Sequence, residues 1–325
     1  MVVVKAPMNI ALIKYWGKSD NINIIPLNES ISVSLSIYTT TKVVKCDNNT
    51  SIFILNGVQQ SLESHPRINA CLSRFKKVCE YYNKSHFNVK IDTTNQFPTA
   101  SGLASSASGG AALVIALNLI YKLELSKDHL SILARLTSGS ACRSIHGGMV
   151  KWQIQAPELL DESIFPISSC RAASLPNMTL YALIVILDKN VKRISSTTGM
   201  QNTVNTSALF KERLELVPNK IKNMENFILS NDFENLAELT MVDAMNFHAC
   251  CLDTFPPIHY LNDLSFDVID KVHEYNKNGL KCAYTFDAGA NAVLLFETKE
   301  NRNEFKVLIS YETIECESCS GPIIE

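Results

Sequence analysis

Four short segments of this chain bring together cations, hydroxyls, small residues and a carboxylate. They hold eight of its 12 glycines: Gly17, Gly102, Gly109, Gly110, Gly139, Gly147, Gly148 and Gly289. Glycines spent in so few places mark unusual backbone angles or close approach of a ligand. The first segment, residues 97–110, is a Gly/Ser-rich loop running into an Ala/Leu-rich stretch. A helix N-terminus has unpaired N–H groups and a partial positive charge, so small residues there suit a phosphate. It is neither a P-loop nor G-x-G-x-x-G, and a close-packed small-residue helix fits the same pattern. In residues 5–18, Lys14 and Lys18 stand four apart, with Tyr15 and Trp16 between them. On one helical face the two amines would bind an anion; two solvated lysines are the plainer alternative. In residues 138–148, Ser138 and Ser140 precede Arg143, whose planar fork suits a carboxylate or phosphate unless it is simply a surface arginine. His146 has no evident partner and reads as structural. In residues 284–292, Asp287 sits in a tight turn, where an Asp often caps its own backbone. Taken together, these are the parts of phosphoryl transfer.

Composition sets the bounds. The chain has 325 residues, 46% hydrophobic and 19% charged, enough for a sizeable core and two domains or one large one. Lys+Arg is 30 and Asp+Glu 32, a formal charge of −2, which excludes a globally basic nucleic-acid coat and an acidic disordered tail. The longest apolar stretch, residues 111–121, is broken by Asn118, so no membrane span is expected. The first residues lack a signal-peptide layout, and a soluble, cytoplasmic protein is expected. The 10 cysteines are scattered, and free thiols are expected. Cys316 and Cys319 form a C-x-x-C without a second pair at zinc spacing, and His248 lies near Cys250 and Cys251.

The elements that must position these segments follow from periodicity. Strict alternation over Ile31–Ile37 predicts a strand, as do the patterns at 2–5, 52–55, 87–91, 149–154 and 178–187. Helical spacing predicts helices over 68–82, 104–121 and 126–136. Helical patterns then dominate at 197–215, 218–229, 232–250 and 258–278. Strands at 281–286 and 292–297 flank the Asp287 turn, with a short helix at 301–309 and a final strand after it. Strands first, helices later and strands last suggest an α+β fold of two lobes, 1–175 and 176–325, with a cleft between them.

The same segments closely resemble the mevalonate diphosphate decarboxylase family of the GHMP kinase superfamily. Residues 6–18 match its opening, Ala-Pro-x-Asn-Ile-Ala-x-x-Lys-Tyr-Trp-Gly-Lys, throughout. Residues 98–107 match its loop except for Ser101 in place of Ala, and 138–144 match Ser-Gly-Ser-Ala-Cys-Arg-Ser unchanged. Residues 287–291 match Asp-Ala-Gly-Pro-Asn with Ala290 in place of Pro, which leaves that turn less rigid. Residues 192–200 also look like the family.

The resemblance implies a GHMP-kinase-like fold and an ATP- and Mg²⁺-dependent reaction of isoprenoid biosynthesis. Mevalonate 5-diphosphate is phosphorylated on its 3-hydroxyl, then loses phosphate and carbon dioxide to give isopentenyl diphosphate. By this likeness Asp287, Lys14 and Arg143 are catalytic, Arg143 holding the substrate carboxylate. Tyr15, Lys18, Ser138, Ser140 and Lys192 hold the diphosphate. Ser101, Gly102, Ala104, Ser105, Ser106, Ser108 and Ser196 hold ATP, no residue is assigned to metal, and a homodimer is implied. A phosphomevalonate decarboxylase or mevalonate 3-kinase is the sibling alternative, and a silent binder of isoprenoid precursors the alternative of another class.

Overall fold

A computed structural model describes residues 1–96, 105–159, 164–190 and 192–325. The chain opens with strands β1 (Val2–Ile13), β2 (Lys18–Asp20), β3 (Ile25–Pro26), β4 (Ser30–Lys45), β5 (Ile52–Leu55) and β6 (Val58–Gln60). Helix α1 (Pro66–Tyr81), strand β7 (Val89–Asn95) and helices α2 (Ser105–Ile120) and α3 (Lys127–Thr137) follow. After a 3₁₀ turn, Gly139–Ile145, come β8 (Met149–Gln153), β9 (Arg171–Ser174) and β10 (Tyr181–Ile186). Four helices succeed them: α4 (Ser196–Thr206), α5 (Ala208–Leu229), α6 (Phe233–Leu252) and α7 (Asp263–Tyr275). The last elements are β11 (Cys282–Phe286), β12 (Ala292–Phe296), α8 (Lys299–Lys306), β13 (Glu312–Glu317) and β14 (Ile323–Ile324).

The architecture is α+β, as the element order predicts. One sheet runs β14-β1-β4-β7-β5-β6, with β8 joined to β4 and β9 to β8. A second runs β11-β12-β10-β13. One core joins the sheets: Met8, Ile10 and Leu12 of β1 and Val33 of β4 pack in the same cluster as Leu183, Leu294, Val217 and Met241. Helices α2 and α3 cover a separate core under the first sheet, with Val4, Phe75 and Val114 in it. Among the described residues, no helix is long and apolar enough to cross a membrane. All ten cysteines are free thiols.

Three sequence expectations are corrected here. First, the strand expected over 2–5 extends to Ile13. Pro7 lacks an N–H, and the β1–β4 register shifts between Pro7 and Met8, so the ladder passes the proline by a local irregularity. Lys14 and Lys18 consequently share no helical face. Second, α5 does not break near 218: Pro218 lies inside it, because Phe210, Val217, Ile221, Met224 and Ile228 bury one continuous face. The burial outweighs one lost backbone hydrogen bond. Third, the Arg143 segment, read as a loop of small residues, is a buried 3₁₀ turn, which removes the alternative of a surface arginine.

The C-terminal tail returns to the first sheet, where β14 pairs with β1. On the way, the Gly148 N–H donates to the Cys319 carbonyl and the Cys319 N–H to the Ser34 carbonyl. Gly147 permits this approach: a Cβ there would meet the Ser320 carbonyl carbon at 2.0 Å. Gly147→Ala is expected to destabilise the fold by roughly 1–3 kcal/mol and expose the tail to proteolysis. Urea unfolding and limited digestion measure both.

Candidate active site

The four segments meet at one cleft of about 350 Å³. Lys14, Tyr15, Lys18, Ser106, Ser138, Ser140, Arg143, Lys192, Ser196 and Asp287 all line it. Lys14 follows β1 directly, and its Nζ lies 2.7 Å from Asp287 Oδ1 in the β11–β12 turn. The lysine is only 2% exposed. Burial lowers its pKa below the ordinary value, while Asp287 and Asp243 push it back up. The Asp287 turn is braced by Asn291, whose Oδ1 accepts from the Leu187 and Asp188 N–H groups. With Ala290 in place of proline, these bonds hold the end of the turn.

Arg143 is 3% exposed. Its Nε donates to Asn9 Oδ1 at 3.2 Å and its Nη1 to Ser30 Oγ at 2.6 Å. The guanidinium lies 5.9 Å from the Trp152 ring centroid. Among the described residues, no acidic side chain forms an ion pair with it. A buried guanidinium held only by neutral acceptors, on a cleft wall, suits an anionic ligand.

Tyr15 packs edge-on to Trp152, with 4.7 Å between ring centroids, and its buried hydroxyl has no partner among the described residues. Burial raises its pKa, so the phenol remains a donor. Gly139 lets the 3₁₀ turn close on these rings, since a Cβ would meet Trp152 at 2.9 Å and Tyr15 at 3.0 Å. Lys192 Nζ donates to Ser196 Oγ at 2.9 Å and to the Ala288 carbonyl at 3.3 Å. Burial lowers its pKa and Asp287 raises it. Ser196 opens α4, whose cap Ser195 accepts from the Thr198 N–H.

Of the nucleotide-loop residues, Ser101, Gly102 and Ala104 lie outside the described residues, and Ser105 opens α2. The Ser106 hydroxyl is 3.3 Å from that of Ser138. Ser108 departs from expectation. It is fully buried, its hydroxyl lies 2.6 Å from that of Thr39 on β4, and it does not line the cleft. One helical turn beyond Ser105, the side chain points at the sheet instead. His146, read as structural and without an evident partner, is buried with Nδ1 3.1 Å from Ser174 Oγ, and burial lowers its pKa to about 4.

Sequence reasoning missed Arg67, at the start of α1, which lines the cleft and donates to Thr197 Oγ1 at 3.1 Å. It also lines a neighbouring cavity of about 470 Å³, with Phe53, Leu113 and Thr197. No motif marks Arg67, and only its place after the helix-opening Pro66 hints at a cleft-facing first turn. Asp243 and Arg213 were missed as well, because they lie in amphipathic helices far from every glycine-rich segment. Among the described residues, no group of three or more His, Cys, Asp or Glu could hold a metal ion.

Among the described residues, five cations and one carboxylate on a cleft beside a helix N-terminus define a class of protein, one that moves phosphoryl groups on an anionic substrate. The family comparisons narrow this. The diphosphomevalonate decarboxylase-like N-terminal domain matches residues 6–163, and the mevalonate 5-diphosphate decarboxylase C-terminal domain matches 182–319. The chain belongs to the diphosphomevalonate decarboxylase family. It is 44% identical to the diphosphomevalonate decarboxylase of Debaryomyces hansenii, over 93% of this chain and 80% of that one. With that of Rattus norvegicus it shares 40% identity, over 96% and 80%. Mevalonate diphosphate decarboxylase from Staphylococcus aureus superposes with a TM-score of 0.88 at 34% identity, covering 100% of this chain and 98% of that one. A structure described as MDDEF in complex with MVAPP, AMPPCP and magnesium superposes with a TM-score of 0.87 at 32% identity, with the same coverage. The fold is thus that of the GHMP kinases.

Lys18 generates a pH prediction. Burial, reinforced by Arg67, lowers its pKa to about 8. An anion that needs the protonated amine should bind more weakly as pH rises through about 8. Titration calorimetry with inorganic diphosphate at pH 7 and 9 measures this. Lys18→Arg, which stays charged, is expected to flatten the dependence.

Proposed function

We propose that this chain converts mevalonate 5-diphosphate and ATP to isopentenyl diphosphate, carbon dioxide, ADP and phosphate. The observation that carries the reading is the Lys14–Asp287 pair on the same cleft as a buried Arg143 without an ionic partner among the described residues. The substrate is a carboxylate at one end and a diphosphate at the other. Arg143 takes the carboxylate, and Tyr15, Lys18, Arg67, Ser138, Ser140 and Lys192 take the diphosphate. The apolar cavity beside Arg67 receives the nucleotide base, with the phosphates toward Ser105, Ser106 and Ser196. The residues fit Mg²⁺ carried on the triphosphate, since Asp287 is the one carboxylate on the cleft among the described residues and ATP supplies the remaining oxygens. Bound ATP–Mg²⁺ supplies the phosphoryl group.

Asp287 accepts the hydrogen bond of the 3-hydroxyl, aligns its oxygen and takes up its proton as the new P–O bond forms. Lys14 holds that carboxylate in place and offsets negative charge on the phosphoryl oxygens. In the second step the 3-phosphate leaves with the C–O bonding pair, and positive charge builds at C3. The C–C pair released as carbon dioxide departs forms the alkene. Asp287 passes the proton it took up to the leaving phosphate and, again a carboxylate, faces the developing cation, so the one side chain serves both steps. Arg143 keeps the substrate carboxylate aligned until it is lost.

We also propose a cytoplasmic homodimer with lobes dividing near residues 175 and 176. The lobe division is supported by the sheet change between β9 and β10, the tail alone crossing back. The dimer is supported by exposed Leu209, Leu252 and Phe255 where the start of α5 meets the end of α6, the Leu209 N–H donating to Asp253 and the Phe255 N–H to Thr206.

A coupled ADP assay with carbon dioxide capture, run on the diphosphate and monophosphate substrates in parallel, tests the activity. Carbon dioxide from the diphosphate supports it; ADP without carbon dioxide, or preference for the monophosphate, points to a sibling enzyme. Asp287→Asn is expected to retain substrate affinity while kcat falls roughly 10²–10⁴-fold. Near-normal turnover would remove Asp287 from the mechanism. Arg143→Lys keeps the charge but loses the fork, and kcat/KM should fall roughly tenfold or more. Unchanged activity would sink the carboxylate clamp.

A further inference from the structure

Behind Lys14 lies a buried charge cluster that the mechanism above does not use. Asp243 of α6 and Arg213 of α5 are both fully buried. Arg213 Nη1 donates to Asp243 Oδ1 at 2.7 Å, and Nη2 to Oδ2 at 2.9 Å. Lys220 Nζ donates to Oδ1 at 3.0 Å. Burial alone would raise the Asp243 carboxyl; Arg213 and Lys220 outweigh it and hold it below the usual carboxylate range. A buried ion pair is a weak source of stability, because desolvation offsets most of the attraction. The cluster's contacts show another use.

Lys14 is the first residue past the end of β1, and the β1–β4 register is irregular just before it, between Ala11 and Ile13. Its peptide groups have left the ladder and need other partners. The Lys14 N–H donates to Asp243 Oδ2 at 2.7 Å. The Lys14 carbonyl accepts from Arg213 Nη2 at 3.2 Å and from Asn28 Nδ2 at 2.9 Å. Both backbone groups of the residue whose ammonium meets Asp287 are therefore held by side chains from α5, α6 and the segment before β4.

We infer that Asp243, locked by Arg213, is a positioning residue for the reaction: it fixes the Lys14 backbone and so aims the ammonium at Asp287. This rests on the roles proposed above for Lys14 and Asp287. The groups that bear on the Lys14 charge are Asp287 from the β11–β12 turn, Asp243 from α6 and Arg143 from the 3₁₀ turn. His248 of α6 also feels the Lys14 charge and is kept neutral by burial, its pKa lowered to about 3. Removing Asp243 takes away one of the two carboxylates that favour the protonated amine.

The test replaces the pair without changing net charge, as Asp243→Leu with Arg213→Met, a swap that buried pairs often tolerate. Asp243→Asn, which keeps an acceptor for the Lys14 N–H, is made alongside. Folding is followed by circular dichroism and thermal melting. Lys220→Met, which loses a contact to Asp243 but none to Lys14, is the control and should retain turnover. The expected result is kcat lower by roughly 10–100-fold in the double variant, with KM for mevalonate 5-diphosphate little changed. Its alkaline limb of kcat should also move to lower pH, and Asp243→Asn should fall between. A folded variant with unaltered kcat and pH profile overturns the inference, as does a raised KM with kcat intact. Should the double variant not fold, Asp243→Asn decides by the same criteria. If Asp287→Asn keeps turnover, the functional reading beneath fails; if it loses turnover while the Asp243 variants do not, only the positioning role fails.

Discussion

The ion pair between Lys14 and Asp287 ties the chain's first strand to one of its last turns, across 273 residues of sequence. It is the point where the two sheets share a functional group. The lysine is nearly dry, so its charge must be matched from within the protein, and Asp287 is its direct partner. Everything around the pair serves to keep those atoms in place. Asp243 and Arg213 hold the lysine backbone from behind, and Thr285, two residues before the aspartate, donates to the Ala11 carbonyl of β1. The common hydrophobic core beneath leaves the strands little freedom to slide.

From this constraint follows the charge distribution. Lys14, Lys18, Arg67, Arg143 and Lys192 converge on a cleft with one carboxylate among the described residues, in a chain whose overall charge is −2. Such concentration is costly in the absence of ligand, and burial accordingly lowers the pKa of Lys14, Lys18 and Lys192. A polyanionic substrate with a nucleotide relieves that strain, so the cleft is arranged for transferring charge between bound anions rather than for stabilising the empty fold. Small residues make this crowding geometrically possible, as Gly139 does where the 3₁₀ turn passes Tyr15 and Trp152.

Much of the site was legible because it is local. Lys14, Lys18, Ser138, Arg143 and Asp287 stand in segments whose small residues announce close approach, and all of them line the cleft. Local periodicity also found α1, α2 and α3 within a few residues. It failed where packing overrides pattern. The patterns at 197–215 and 218–229 read as separate helices, yet α5 runs through Pro218 because one apolar face is continuously buried. Ser108 reads as part of a phosphate loop, yet the helical turn rotates it onto Thr39. The lysines read as a helical pair, yet they flank the end of a strand.

The sequence by itself determined the class of chemistry and the family, since short segments dense in glycine, serine and cations constrain what can bind there. It also determined the α+β element order. Tertiary structure alone decided which side chains share a space: Lys14 with Asp287, Arg67 with Thr197, and Asp243 with the Lys14 backbone. Those pairings join residues more than a hundred positions apart, and no local periodicity encodes them. They arise when two sheets bury a common apolar surface, and the polar groups carried along must then find partners away from water.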